Sequence, residues 1–376
     1  MSKLISRIAD YIRETDRLLL AFCIAASLYG SIEILSVTHH LSTLRPFAVQ
    51  LASLVAGVFA AIIISMFDFE TFIKRWYLIA AASIIPVILT FFIGFAPEGT
   101  DDKAWLDLGF TTFQPAELLK IAFIITFATH VNRVKNDINK VKKLIPLCIH
   151  GAIPVILIHF QGDDGTALVF AVMFLCMLYT AGVSWKYFVA AITAAIIASP
   201  VVYFFIMNED QRKRIIGVFN IEADIKGSTY QQFRARMALA NGGLFGQGLF
   251  KGSLTQMGGV PEGRNDFIFV SIGEELGFAG CMLVILLLAA ICYRCIHTAR
   301  ICRKDSGKII CVGFFSMIFA QIIINIGMCT AILPVIGVTL PFFSSGGTSL
   351  LCTFFGVGIV LSVYMHRDSR IIYLRD

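Results

Sequence analysis

The chain has 376 residues, of which 57% are hydrophobic and 15% are charged, and its mean hydropathy is +0.79. A soluble domain is usually about 45–50% apolar and about 25% charged, so this composition excludes an ordinary water-soluble protein. The net charge of +6 comes largely from basic clusters between apolar runs, which indicates membrane topology rather than nucleic-acid binding.

Apolar runs recur along the whole length, each about as long as a helix that crosses a ~30 Å hydrocarbon layer. We therefore predict an all-α, polytopic integral membrane protein with about ten transmembrane helices in a single membrane domain over residues 1–376. The predicted spans are residues 18–38, 47–67, 76–95, 114–131, 144–160, 165–183, 187–207, 266–293, 309–333 and 349–365.

Lysine and arginine fall on alternate sides of these spans. They cluster at both ends of the chain and after spans two, four and eight, whereas the other short loops hold little besides Arg45 and Lys103. Because basic residues concentrate in cytoplasmic loops, both termini are predicted to be cytoplasmic. The residues between spans seven and eight, 208–265, then form a large extracytoplasmic loop.

Ionisable residues inside a span are costly and often mark function. Glu33 in span one has no evident local partner. In span four, Pro115 suits a first helical turn, and Glu117 and Lys120 lie three residues apart on one helix face, where they can pair. This pair either neutralises itself near the interface or lines an internal cavity.

A very short outer hairpin, QGDDGTAL at 161–168, joins spans five and six. Turn chemistry explains Gly162, Asp164 and Gly165. Asp163 is suited either to cap the following helix or to face a cavity.

The loop 208–265 is basic although topology places it outside. Long loops cross a membrane largely regardless of charge, so the loop does not overturn the orientation. Its charge either attracts anionic lipid headgroups or binds a substrate that bears phosphates.

The stretch VPEGRNDFIFVSIGEELGF at 260–278 places three acids beside or within an apolar run. Asn265 or Asp266 is suited to N-cap span eight. That interpretation leaves the other two acids, Glu274 and Glu275, unexplained.

Glu274 and Glu275 lie about 12–14 Å further along a helix than Asp266. Gly273 and Gly277 flank them, which permits close approach of another helix. We interpret the two glutamates as helix-packing or cavity-polarity residues rather than catalytic ones.

The ten cysteines do not form a disulfide pattern, since none lies in the long polar segment. A metal cluster is an alternative for one group at the end of span eight, although cysteines are common at such helix ends. The group is Cys292, Cys295, His297 and Cys302.

Two prolines and several small residues interrupt the apolar stretch LPVIGVTLPFFSSGGTS at 333–349. Irregular backbone at membrane depth survives only when it is buried in protein or lines a cavity. One interpretation is an outer re-entrant turn. The other is an anion site formed by the backbone N–H groups of Ser344, Ser345, Gly346 and Gly347.

Five segments, taken in order, resemble the SEDS proteins (shape, elongation, division, sporulation), whose best-known members are RodA and FtsW. The resemblance covers nearly the full chain. The segments are AWLDLGFTTFQPAELLK at 104–120, QGDDGTAL at 161–168, YQQFRARMALANGGLFGQGL at 230–249, VPEGRNDFIFVSIGEELGF at 260–278 and LPVIGVTLPFFSSGGTS at 333–349.

The resemblance implies a peptidoglycan glycosyltransferase of the bacterial cytoplasmic membrane. Such an enzyme polymerises lipid II into glycan strands at the outer face during cell elongation or division. The resemblance also implies a partner, a class B penicillin-binding protein, that crosslinks the product.

The family's essential aspartate falls on Asp266, which is the expected general base. The family's paired charges fall on Glu117 and Lys120, and a further acid falls on Asp163. Positive charge for the leaving pyrophosphate is expected from a divalent cation, Mg²⁺ or Mn²⁺, whose ligands are not assigned, or from basic residues of the outer loop. The basic candidates are Arg234, Arg236, Lys251 and Arg264, and we expect Arg264 to keep Asp266 ionised at neutral pH.

Several positions depart from the family pattern and leave substrate details, metal use and subfamily open. The short tails and the segment Trp-Leu-Asp-Leu-Gly favour a RodA-like member. The departures are Arg264-Asn265 for His-Thr, Gly162 and Asp164 for Pro and Leu in the hairpin, Ser345 for Tyr, Arg234-Ala235 for Gln-Ser, and Ala240-Asn241 for Gly-Ser.

Two other classes of function fit the same spans. A lipid II flippase or transporter would use the charged cavity without chemistry. A non-enzymatic scaffold would use the spans only to recruit a penicillin-binding protein.

Overall fold

The computed structural model describes residues 11–367 apart from residues 12, 42, 97–101, 108, 110–111, 221–223 and 226. Parts of the basic termini used to predict orientation, residues 1–10 and 368–376, lie outside the described residues, as does Lys226 of the outer loop. Ten long helices occur within the described part of the chain, one for each predicted span. They are α1 Arg17–Val37, α2 Arg45–Met66, α3 Trp76–Ile93, α4 Pro115–Val134, α5 Val141–Phe160, α6 Asp164–Thr180, α7 Trp185–Val201, α8 Ile268–Ile301, α9 Asp305–Cys329 and α10 Gly347–Met365.

Eight of these helices are long and apolar enough to cross a membrane, with α7 counted over Trp185–Phe205 because a π turn continues it. The other two are α4, which contains the Glu117–Lys120 pair, and α6, which is apolar but only 17 residues long. The prediction of an all-α, multi-pass membrane protein is therefore confirmed.

Shorter elements connect the long helices. The helices are Phe69–Lys74, Glu209–Phe219, Tyr230–Gly242 and Ser253–Gln256, with 3₁₀ turns at His39–Leu41 and Lys135–Asp137 and a π turn at Val202–Ile206. Two short antiparallel strands, β1 Leu106–Asp107 and β2 Thr112–Phe113, pair Leu106 with Phe113 and Asp107 with Thr112.

The helix α4 lies at the centre of the bundle, because nearly every residue from Pro115 to Thr129 is buried. A helix that is buried all round must be enclosed by other helices. Around it, α10 packs along α2, and α9 packs against both α6 and α8. Small residues allow the closest approach: a Cβ at Gly358 of α10 would lie 2.9 Å from the Ala61 Cα of α2.

The helix α7 differs from the others because none of its residues is buried. An apolar helix whose residues all remain accessible must be covered largely by hydrocarbon chains. It therefore stands at the edge of the bundle, directly before residues 208–265, which we call the outer segment after their predicted location.

The helix α8 is interrupted at Gly277, whose φ of 68° and ψ of −164° are not helical. Such a positive φ favours glycine. The outer segment enters the break: the N–H groups of Gln247 and Gly248 donate to the carbonyls of Glu274 and Glu275, at 3.0 and 2.8 Å. The freed backbone groups are thus satisfied within the protein, as membrane depth requires.

The predicted close approach at Gly273 is confirmed. The partner is the helix Tyr230–Gly242, since a Cβ at Gly242 would lie 1.8 Å from the Gly273 carbonyl oxygen. The break in α8 and this contact together fix the outer segment over the carboxylates of α8.

Candidate active site

Asp266 lies in a tight turn before α8. The N–H groups of Asn265 and Phe267 both donate to the Glu262 carbonyl, at 2.9 and 3.1 Å. The N-cap of α8 is Phe267, without a side-chain cap, so the prediction that Asn265 or Asp266 caps this helix is wrong. The Asn265 amide instead donates to the Glu262 carboxylate at 2.6 Å.

The Asp266 carboxyl is therefore not used for capping. No hydrogen bond from the described residues reaches it, and the residue is only partly buried. Its backbone, in contrast, is firmly held: Asn325 Nδ2 of α9 donates to the Asp266 carbonyl at 2.7 Å. The same amide donates to the Val338 carbonyl, also at 2.7 Å.

Asn325 was not among the predicted site residues. It is fully buried in α9, and a buried amide within an apolar span is itself a sign of a specific polar contact. That signal was present in the sequence.

The irregular segment 333–346 encloses the Asp266 turn. Ser344 Oγ donates to the Asn265 carbonyl at 2.7 Å, and Ser345 N donates to the Arg264 carbonyl at 2.8 Å. At Gly337, whose φ is 66°, a Cβ would lie 3.6 Å from Asp266 Oδ2. The segment thus forms one wall of the site, as expected for irregular backbone at membrane depth.

One interpretation of this segment was an anion site formed by backbone N–H groups. For three of the four residues the structure contradicts it. Ser344 N donates to the Leu340 carbonyl, Ser345 N to Arg264, and Gly346 N to Gln50 Oε1. These N–H groups hold the fold together and are not available to a ligand. That Ser344, Ser345 or Gly346 contacts the substrate stays a prediction.

The pKa of Asp266 is raised to about 7. Burial of the carboxyl is the main cause, and the negative charges of Glu262, Asp163 and Asp102 add to it. The expectation that Arg264 keeps this acid ionised at neutral pH is therefore wrong, because acids surround the carboxyl in space.

Asp163 faces Asp266 from the start of α6. Its Oδ1 accepts the Thr166 N–H at 2.8 Å and so caps α6, while its Oδ2 accepts Gln114 Nε2 at 3.0 Å. The capping alternative for this residue is confirmed, and Asp163 also lies close enough to Asp266 to raise that pKa. That it faces a cavity stays a prediction. Burial raises the pKa of Asp163 itself.

The predicted pair on α4 is confirmed: Lys120 Nζ lies 2.9 Å from Glu117 Oε1. Both side chains are almost fully buried, at 1% and 6% exposure. Their charges also act on Asp163. The Glu117–Lys120 pair thus acts electrostatically on Asp163, and Asp163 in turn acts on Asp266.

The four basic candidates are less closely gathered. Arg234 Nε donates to the Gly259 carbonyl at 2.8 Å; Arg236 and Lys251 are exposed, and Arg264 is half-buried. Within the described residues, none of them forms an ion pair or hydrogen bond with Asp266. Their side chains extend from the outer segment, where a phosphate-bearing ligand can reach them.

Glu274 anchors the outer segment. Its carboxylate accepts the N–H groups of Leu254 and Thr255, at 2.9 and 2.7 Å, and the hydroxyls of Ser253 and Thr255. It thereby caps the start of the short helix Ser253–Gln256, although Glu274 lies about twenty positions further along the chain.

Glu275 makes the second anchor. Its carboxylate accepts Phe250 N at 3.0 Å, Gln256 Nε2 at 2.7 Å and the hydroxyl of Ser36 on α1. Both glutamates are fully buried, so they stabilise the site through these internal contacts. Their predicted packing role is confirmed with these partners.

The described residues include no group of three or more His, Cys, Asp and Glu side chains placed to hold a metal ion. The cysteine alternative at the end of α8 has no support, and all ten cysteines are free thiols. Glu33 is fully buried, and neither carboxyl oxygen has a hydrogen-bond partner among the described residues.

A family model described as cell cycle protein, covering FtsW, RodA and SpoVE, matches residues 16–369. The chain belongs to this family. The SEDS resemblance drawn from five motifs is thus confirmed over nearly the whole length.

Two individual relatives support this family assignment. The peptidoglycan glycosyltransferase MrdB of Escherichia coli (strain K12) is 34% identical over 265 residues, 70% of this chain and 71% of the relative. A probable peptidoglycan glycosyltransferase FtsW of Geobacter sulfurreducens is 30% identical over 298 residues, 79% of each chain.

A solved structure shares the SEDS fold with a TM-score of 0.79, covering 93% of this chain and 97% of the other. That structure is described as showing the structural coordination of polymerization and crosslinking by a peptidoglycan synthase complex. At 24% sequence identity this likeness concerns the fold.

Proposed function

We propose that Asp266 is the general base with which this peptidoglycan glycosyltransferase polymerises lipid II at the outer face of the cytoplasmic membrane. The observation that carries the proposal is the state of its carboxyl. It is not engaged by any described hydrogen-bond donor although the residue is only half-buried, and burial of the carboxyl together with nearby acids raises its pKa to about 7. A base whose pKa lies near the working pH is efficient and typically contributes about 10²–10⁴-fold.

In the proposed step, a sugar hydroxyl of the acceptor attacks the anomeric carbon of the donor strand. A new glycosidic C–O bond forms, and the C–O bond to undecaprenyl pyrophosphate breaks. The pyrophosphate leaves with the bonding electron pair, and Asp266 takes the hydroxyl proton. Asp163 and the Glu117–Lys120 pair hold the surrounding charge fixed, so little reorganisation is needed.

The leaving pyrophosphate needs nearby positive charge. We propose Arg234, Arg236, Lys251 and Arg264 for this purpose, because all four lie in the outer segment or in the Asp266 turn. We also propose that Mg²⁺ or Mn²⁺ arrives on the pyrophosphate, since a magnesium ion needs only one or two protein carboxylates when phosphates supply other ligands.

Orientation and access follow from the same proposal. We propose that both termini are cytoplasmic, because Lys and Arg concentrate in the loops on that side. The outer segment 208–265 and Asp266 then lie outside. We propose that the undecaprenyl tails lie in the bilayer beside the bundle, on the side where α7 has no buried residue. We propose a class B penicillin-binding protein as partner, supported by the similar fold found in a complex that coordinates polymerization and crosslinking.

The test is polymerisation of lipid II by the purified full-length protein with Mg²⁺. Wild type is expected to form glycan strands and Asp266→Ala is not, which excludes both the flippase and the scaffold. Normal polymerisation by Asp266→Ala contradicts the assignment of the base. Lipid translocation without polymerisation, in wild type and variant alike, identifies a flippase.

A further inference from the structure

A cavity of about 250 Å³ lies between α3, α4 and α5, apart from the Asp266 site. Its buried floor is formed by α4 through Ala122 and Phe123. Its rim is exposed, with Ile153 of α5 at 45%, so the cavity opens toward the membrane. An apolar cavity of about 150 Å³ already binds benzene, and this one has room for a longer hydrocarbon chain.

The polar groups on the cavity wall are satisfied by the protein. His150 Nε2 lies 3.3 Å from Thr126 Oγ1, and the Nδ1 atoms of His130 and His150 lie 3.1 Å apart. Ser83 Oγ donates to the Ala80 carbonyl at 3.0 Å. The occupant therefore needs no polar group at this depth, and an apolar chain fits best.

The two ends of the cavity differ. At one end, Gln161 closes the gap between α3 and α5 by donating to the Val87 carbonyl and the Thr90 hydroxyl. At the other end, Trp76 lines the opening, and the guanidinium carbon of Arg133 lies 5.1 Å from the centre of its ring. Arg133 is exposed and pairs with no carboxylate among the described residues.

Further basic residues surround this open end, at the start of α3 and of α5. They are Lys74, Arg75, Lys142 and Lys143, and all are exposed. Basic residues near a membrane surface attract anionic headgroups, at about 1 kcal/mol each. The open end therefore complements a negatively charged headgroup, while the closed interior accepts its tail.

We propose that this cavity binds one acyl chain of an anionic glycerophospholipid, with its phosphate at Arg133 and its chain against Ala122 and Phe123. The site is independent of the polymerisation chemistry. It would couple the packing of α3 and α5 on the central helix α4 to the lipid composition of the membrane.

The test uses tryptophan fluorescence in nanodiscs that contain phosphatidylcholine and a minor fraction of one lipid brominated in its acyl chains. Trp76 is kept as the single tryptophan by Trp105→Phe and Trp185→Phe. Brominated phosphatidylglycerol is expected to quench Trp76 at least about two-fold more than brominated phosphatidylcholine at the same mole fraction. A second protein that keeps only Trp185, on the lipid-exposed α7, is expected to show equal quenching by both.

Two pairs of variants locate the site. Ala122→Phe fills the cavity and is expected to remove the preference of Trp76, whereas Ala194→Phe on the exposed face of α7 preserves it. Arg133→Gln is expected to remove it as well, whereas Lys186→Gln preserves it. Ala80→Leu on the opposite wall repeats the filling test if Ala122→Phe does not fold.

Equal quenching of Trp76 by the two lipids overturns the proposal, as does a preference that survives both filling variants. Quenching by both lipids that depends on Ala122 but not on headgroup charge also overturns it, because the site would then be a general hydrocarbon cavity.

Discussion

The side-chain amide of Asn325 lies 2.7 Å from the backbone carbonyl of Asp266 and holds the turn that presents the carboxyl we propose as the general base. The same amide nitrogen also donates to the Val338 carbonyl in the irregular segment, at 2.7 Å. One buried amide of α9 therefore fixes two walls of the site relative to each other.

Asn325→Ala is expected to lower the maximal polymerisation rate about 10–100-fold, because two buried carbonyls lose their donor, at about 1–3 kcal/mol each. The apparent KM for lipid II should change little, since Asn325 does not contact the substrate. Cys329→Ala is the control, because its thiol makes only a long 3.5 Å contact with the same carbonyl. A proportional rise in KM with an unchanged maximal rate would contradict the positioning role.

Asp266→Asn is expected to stabilise the folded protein above neutral pH. An acid whose pKa is raised on folding binds its proton more tightly in the folded state, so stability is greatest at low pH. That contribution is lost as pH rises from about 4 to about 7. The amide has no proton to lose, and thermal unfolding at pH 8 should show a higher Tm for the variant than for wild type, with the difference vanishing near pH 4.

Variants of the buried Glu117–Lys120 pair on α4 distinguish a structural role of the pair from a functional one. Lys120→Met alone leaves Glu117 as an unpaired buried charge and should destabilise the protein by about 3–5 kcal/mol. The double variant Glu117→Leu, Lys120→Met removes both charges and should recover the Tm. Loss of polymerisation in a stable double variant indicates that the pair serves the site, and full activity indicates packing alone.

Glu274→Ala is expected to loosen the outer segment, since four backbone or hydroxyl donors around Ser253–Gln256 lose their acceptor. Limited proteolysis should then cut near residues 247–256 at a protease concentration that leaves wild type intact. Glu262→Ala, an exposed acid outside this contact, is the control. Unchanged protection of the segment in Glu274→Ala would contradict the anchor role.

Local rules predicted much of the fold. The ten spans followed from apolar runs of the right length, and Pro115, Glu117 and Lys120 followed from spacing within one helix. Gly273 was recognised as a packing position without its partner. These features depend on residues close together in the chain.

The rest depends on contacts between distant residues. Glu275 meets Ser36, 239 positions away, and no local pattern contains that pairing. The pKa of Asp266 was expected to be low because Arg264 is its neighbour in sequence, yet Asp163 and Asp102 are its neighbours in space. An anion site formed by the backbone N–H groups near Ser345 was one of two interpretations, yet the Arg264 carbonyl and Gln50 Oε1 already accept two of these N–H groups.

The most direct test of the account is the pH dependence of lipid II polymerisation by wild type and by Glu262→Gln. We predict that the wild-type rate rises with pH and levels off above an inflection near pH 7, as Asp266 loses its proton. Glu262→Gln removes a charge that raises this pKa, so its inflection should move to lower pH while the plateau rate stays the same. A wild-type rate without an inflection between pH 5 and 9, or an inflection that persists in Asp266→Asn, would contradict the assignment of Asp266 as the general base.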